Sequence, residues 1–284
     1  MTYLIFVFIL SFQVPSGDLE PDYTIKLNEG NQVSKNISLK VYNDIIIHDY
    51  DRDTFTIIDE EHNVSSISYE KTEFDLPVPV KNPVMISDFI QYGEHRLLVT
   101  ETNTNSMYVI DSDNTFHKMA SMETAPFYLH PYQSGVVVIS NGLYNEYLSY
   151  YNSDFEKVHD VIIGGSFFQQ GIKPINNLHK SRSFFIESDT IYIKNNDEQL
   201  LSCTIEEEII CKEVISAKEQ IFIDRTSNGR FYFLENDKLF TGTVKEIAEN
   251  KAKLNLNSAK HANYLYRHLE ELYVFENQEI RVYN

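Results

Sequence analysis

One unit recurs along this chain about every 45 residues: a short β-branched or aromatic run, a tight turn rich in Asn and Asp, and a second such run. The copies begin at Ile45 (IIIHDYDRDTFTIID), Leu97 (LLVTETNTNSMYVID), Val136 (VVVISNGLYNEYLSYYN), Phe184 (FFIESDTIYIKNN), Phe231 (FYFLENDKLFTGTV) and Leu272 (LYVFENQEIRVYN). A repeat of this length with strands in every copy points to a radial array of sheets that bury their faces on one another.

Each copy extends on both sides toward four strands. Upstream lie apolar runs at 37–42, 84–91, 125–129, 171–177, 220–225 and 262–267; downstream lie runs at 64–70, 116–121, 155–162, 199–204 and 252–257. Period-two alternation bounded by Asn, Asp and Gly supports strands in most of them. Copy four offers five strand-like runs, so its register is open, and Pro174 demotes the first of them to an edge strand or a loop. The segment 163–182 is the longest with weak periodicity, and reads either as a connection or as a binding insert. The last copy ends after its third strand, whereas residues 23–27 (YTIKL) alternate and have no other obvious partner. The expectation is an all-β, six-bladed β-propeller of four-stranded antiparallel blades, its N-terminal strand closing the last blade beside 279–283. A pair of β-sandwiches is the alternative. Only 245–252 (KEIAENKA) has helical propensity.

Residues 3–14 (YLIFVFILSFQV) are apolar but too few to span a bilayer as a helix. They read as the core of a signal peptide over 1–16, cut after Ser16, with one propeller domain over 17–284; a buried strand or an uncleaved anchor is the alternative, since no Lys or Arg precedes the run. Export agrees with the cysteines. Cys203 and Cys211 flank Glu206, Glu207 and Glu208 in an apparent hairpin, and in that register they face each other at a separation a disulfide closes. The sequons at Asn36 and Asn63 are glycosylation candidates in an exported chain. The expected location is extracellular, with no membrane span in the mature chain.

A formal net charge of −18 disfavours a phosphate-backbone partner, because nucleic-acid affinity comes from Lys and Arg neutralising phosphates. The expected partner is an extracellular protein or a small ligand. The 19 Tyr and 18 Phe supply recognition surface or wedges between blades.

The strand, Asn/Asp turn, strand cadence resembles six-bladed propellers of the broad group that includes gluconolactonase-type hydrolases, NHL-repeat proteins and the bacterial TolB propeller. That resemblance implies a central channel, which in the gluconolactonase type holds a divalent metal on Glu, Asn and Asp from different blades. Strand-end residues of those types include Glu101, Asn141, Glu187, Glu235 and Glu276. Four of them, all but Asn141, recur at matching places in their copies, which favours a role in the turn over a unique site.

The local pattern closest to a metal site is Asp49-Tyr50-Asp51-Arg52-Asp53, with alternate carboxylates and Glu60 at the twelfth position, as in a calcium loop. Thr54 stands where such a loop needs Gly, so calcium here is the lesser expectation. There is no Gly-x-Ser-x-Gly elbow, no metal-type histidine pair and no Gly-rich phosphate loop. His48, His95, His130 and His179 lie near strand ends of different copies, where they converge or pack as ordinary histidines. The residues favour a non-enzymatic binding module; the alternative is a metal-dependent lactonase or esterase-type hydrolase working in the channel.

Overall fold

The computed structural model describes residues 21–27, 32–34, 36–69, 84–93, 96–166, 183–217, 220–236, 238–256, 265–268, 271–276 and 278–283. The segment 1–16, His95, His179 and the run 171–177 lie outside them.

After β1 (Tyr23–Lys26) the chain lays down five antiparallel meanders in sequence order. Blade one is β2 (Ile37–Val41), β3 (Ile45–Asp49), β4 (Thr54–Ile58) and β5 (Val64–Ser68). Blade two is β6 (Ile86–Gln91), β7 (Leu97–Glu101), β8 (Ser106–Ile110) and β9 (Phe116–Ser121). Blade three is β10 (Ala125–Tyr132), β11 (Gly135–Asn141), β12 (Asn145–Tyr151) and β13 (Lys157–Gly165). Blade four is β14 (Phe184–Glu187), β15 (Thr190–Lys194), β16 (Gln199–Ile205) and β17 (Ile209–Ser216). Blade five is β18 (Ile221–Arg225), β19 (Phe231–Glu235), β20 (Lys238–Gly242) and β21 (Lys253–Leu256), with the helix α1 (Val244–Ala248) between its last two strands. A Thr243/Glu246 capping box starts that helix, which overlaps the segment 245–252 that has helical propensity.

Blade six is β22 (Leu265–His268), β23 (Glu271–Glu276) and β24 (Glu279–Tyr283), completed by β1. Tyr23 pairs with Val282 and Lys26 with Glu279, as the unpartnered N-terminal alternation requires. The closure removes two open edges at once. Gln278 reinforces it by clasping Val33 through both amide atoms, at 2.8 and 2.7 Å.

Copy four differs from the repeat. The run at Phe184 is the first strand of its blade, whereas the equivalent runs at Ile45, Leu97, Val136, Phe231 and Leu272 are second strands. The last four of its five runs build the sheet, so Glu187 ends an inner strand and is not the counterpart of Glu101. The cysteine hairpin is the outer half of the blade, with Cys203 opposite Cys211 and bonded to it.

No single core fills the ring. Buried clusters sit in the seams between neighbouring blades. Phe55 and Phe89 join blade one to blade two, Leu98 and Val138 two to three, Ile139 and Ile191 three to four, and Tyr192 and Phe231 four to five. Leu39 and Ile280 close one to six. Among the described residues, the buried aromatic rings of these clusters act as wedges, each contributing about 1.5–3 kcal/mol of burial. Five Phe and Tyr rings crowd the four-to-five seam alone, Phe185 and Tyr192 stacked at 5.1 Å.

Candidate functional site in the central channel

The first strand of every blade edges the channel, and the side chains of β2, β6, β10, β14 and β18 line it at the inner ends of the seams. One face of the ring carries the turns between second and third strands and the connections between blades. The opposite face carries the other two turns of each blade.

Charge enters the channel wall once among the described inner strands of blades one to three. Lys40 on β2 reaches Asp88 on β6 at 2.7 Å, with side-chain exposures of 14% and 8%. The same ammonium donates to Phe89 O at 2.8 Å and Leu129 O at 3.2 Å, spanning three blades, and the second Asp88 oxygen accepts the Leu129 N–H at 2.8 Å. Both charges are fully occupied.

His130 follows on β10. Its Nδ1 lies 2.9 Å from Pro131 O, which makes Nδ1 the protonated nitrogen and leaves Nε2 with its lone pair. Burial, with Lys40 nearby, pushes its pKa down to about 4, so the ring is neutral at ordinary pH. Phe184 of blade four sets its ring against both His130, at 5.6 Å, and Tyr128, at 6.5 Å. Tyr50 completes this wall from the connector face: burial first, then the charge of Asp88, raises its pKa well above the usual tyrosine value, while a hydrogen bond to Ser38 opposes that. The wall therefore offers a neutral acceptor and aromatic surface beside a closed ion pair.

The Asp49–Asp53 pattern is a turn. Asp49 is wholly buried and its oxygens accept N–H groups of Ser34, Asp51 and Arg52 at 2.6, 3.1 and 3.2 Å, with the Arg52 guanidinium 3.8 Å away. Asp51 accepts from the Asn36 side chain at 3.1 Å, and Asp53 accepts from the Tyr69 hydroxyl. A carboxylate filled by N–H donors beside a guanidinium does not suit Ca²⁺, whose shell needs six or more oxygens. Among the described residues no three His, Cys, Asp or Glu side chains converge on one point.

Glu101 and Glu235 repeat that device, and the Glu276 side chain lies outside the described ones. Glu101 accepts from Met85, Asn103 and both donors of Thr104 at 2.6–3.1 Å, tying the turn of blade two to the connection that enters it. Glu235 takes the Gln220 amide in the same way. In blade three Asn141 and Glu146 hold Asn196 of blade four instead. Glu187, out of register, pairs with Arg225 of blade five at 2.8 Å.

Of the flagged histidines, His48 packs wholly buried between Phe55 and Tyr50 in the seam of blades one and two, 2.6 Å from the Tyr69 hydroxyl. It does not share the environment of His130. Asn36 is half-buried at the connector face, and Asn63 is exposed in the β4–β5 turn of the opposite face. Sequence reasoning passed over Lys40 and Asp88; the signal was a lone charge inside each of two apolar strand runs, ISLKVY and VMISDFIQ.

No family model matches the sequence, and neither does any curated protein. Solved structures place the chain among six-bladed propellers. Virginiamycin B lyase from Staphylococcus aureus is 13% identical, with a TM-score of 0.53 over 92% of this chain and 88% of that one. A catalytically inactive histidine-to-alanine variant of that lyase, with quinupristin, has a TM-score of 0.54 at 13% identity and the same coverage. A luciferin-regenerating enzyme has a TM-score of 0.55 at 9% identity, over 92% and 94% of the two chains. At these identities the likeness is one of fold. Both neighbours are enzymes, and among the described residues no helix is long and apolar enough to cross a membrane.

Proposed function

We propose that this chain is an exported, glycosylated propeller that holds an extracellular ligand in its channel without transforming it. The observation that carries the reading is the state of the carboxylates. Asp88, Asp49, Glu101 and Glu187, the groups that would activate water or hold a metal, are each engaged by a lysine, by backbone N–H groups or by an arginine. What remains at the wall is His130, Tyr128 and Phe184, a neutral imidazole among rings, which suits recognition. Export rests on the apolar segment 3–14, on the disulfide, and on sequons at the ring surface.

A second reading is a metal-dependent hydrolase of the lactonase or esterase type, favoured by the use of this fold in enzymes. One experiment separates the two. The chain is secreted from cultured cells, incubated with a fractionated metabolite extract, washed, and its bound compounds eluted for mass spectrometry. Binding predicts stoichiometric recovery of an unchanged compound, lost in Tyr128→Ala. Product growing beyond one equivalent per chain, and abolished by a chelator, overturns it in favour of the hydrolase.

A further inference from the structure

The geometry points to a docking surface on the outer rim of blade three, where an extended peptide segment of another protein is added as a fifth strand beside β13. β13 is the last strand of its sheet, so one side of its backbone has no strand partner among the described residues. Every blade has such an edge, but this one is the longest. It runs nine residues, against four in β1 and β21, five in β5, six in β9 and eight in β17. Brevity blunts most of the others, and exposed Lys212 and Glu213 blunt β17. The far end of β13 is already used. Ile163 O and Gly165 O accept from the Asn195 and Asn196 amides of blade four at 2.7 and 2.9 Å, and Gly165 N–H donates to Asp197 at 3.1 Å. Residues 157–162 remain: Lys157, Val158, Asp160 and Ile162 are exposed, while Val161 packs into the seam with blade four. Bulges at both ends bracket a regular stretch from His159 to Ile162 and do not interrupt it.

The side chains make this edge a surface for recognition. Of the seven large apolar side chains exposed among the described residues, four belong to blade three: Val158 and Ile162 on β13, and Leu143 and Tyr144 in the turn between β11 and β12. Ser166, just past β13, fixes that turn by donating its N–H to Tyr144 O at 2.9 Å and its hydroxyl to Gly142 O at 2.6 Å. Asp160 sets the charge of the partner. Lys157 lies 3.8 Å from it, but that ammonium is closer to Glu123, at 3.4 Å. Two carboxylates thus share one ammonium, on a chain whose net charge is −18. The strand that fits carries a basic side chain opposite Asp160 and an apolar one two positions along, opposite Ile162 on the same face. A second copy of this chain does not meet that need: in the two-fold register that sets Val158 against Ile162, Asp160 faces Asp160.

This surface lies outside the channel and does not depend on what the channel holds. Its test is fluorescence polarisation of the full secreted chain with a labelled heptapeptide, Thr-Val-Thr-Lys-Thr-Val-Thr, which carries Val, Lys and Val on one face when extended. Saturable binding is expected, and the same peptide with Glu in place of Lys should bind about fivefold more weakly. Asp160→Lys should reverse that order. Ile162→Ser, at an exposed position where folding does not need the side chain, should weaken the lysine peptide about threefold. A peptide with its interior backbone nitrogens methylated, which cannot pair with a strand edge, should not bind. No saturation at millimolar peptide, equal binding of the methylated peptide, or a preference for lysine that survives Asp160→Lys overturns the proposal. Dimers of the chain in sedimentation, dissolved by Ile162→Ser, overturn it in favour of self-association.

Discussion

The seam ends that meet the channel at blades one to three differ in kind from those at blades four and five. The first set is closed by Lys40 and Asp88, buried and bonded across three inner strands. The second is closed by Phe185, Tyr192, Phe222, Phe231 and Phe233, with Arg225 and Glu187 pairing where both remain a quarter exposed. The backbones are near-equivalent, so the difference is chemical. Apolar wedges join blades without desolvating charge, whereas a buried ion pair recovers its desolvation penalty only with good geometry and further hydrogen bonds. The ring is symmetric in construction and polarised in chemistry.

The largest test of this contrast is Asp88→Ala. It leaves the Lys40 ammonium without a countercharge and the Leu129 N–H without its acceptor, and should cost about 3–5 kcal/mol in urea unfolding. The pair Lys40→Met with Asp88→Leu should restore most of that loss. A double variant as unstable as the single one would show that the polar end is not a liability offset by pairing.

Next in size is the outer edge of the aromatic half. Replacing Cys203 and Cys211 by Ser opens a short loop whose closure entropy corresponds to about 2–3 kcal/mol. Blade four should loosen first, seen as faster amide exchange across β16 and β17 than across β11 and β12.

The pH response should belong to the polarised side. His130 has a pKa of about 4 in the fold against an ordinary 6.5. Between those values the unfolded chain binds the proton and the folded chain does not, so stability rises with pH and is lost as pH falls from about 6.5 to about 4. Lys40, whose charge opposes protonation, deepens the loss. His130→Gln should flatten that part of the profile by roughly 1–2 kcal/mol, read from melting curves at stepped pH. Smallest is Arg225→Met, which removes a partly solvated pair together with the guanidinium's contacts over the Tyr192 and Phe231 rings; a change of about 1 kcal/mol or less is expected.

Much of the ring was legible before any coordinates, because its signals are local. Alternation, Asn/Asp turns and period identify strands from their own residues, and the unpaired YTIKL run dictates closure. The disulfide was legible for the same reason, since a hairpin's register follows from its turn. Copy four was misaligned with the repeat because a period counts strand pairs and does not say which strand is innermost. Glu187 therefore seemed equivalent to Glu101 and is not. The site was largely hidden: His130 stood among scattered histidines, and Lys40 with Asp88 lie 48 positions apart in different copies.

By itself the sequence determined the strands, their number and order, the hairpin crosslink and the acidic character of the surface, all of which depend on neighbours along the chain. Only the tertiary structure decided which inner-strand side chains meet at the channel. Ring closure brings blades one, two and three to a common axis, and there Lys40 finds oxygens from two other blades, while His130 comes to lie against Phe184 of blade four. Those are distances across the ring, and no local pattern encodes them.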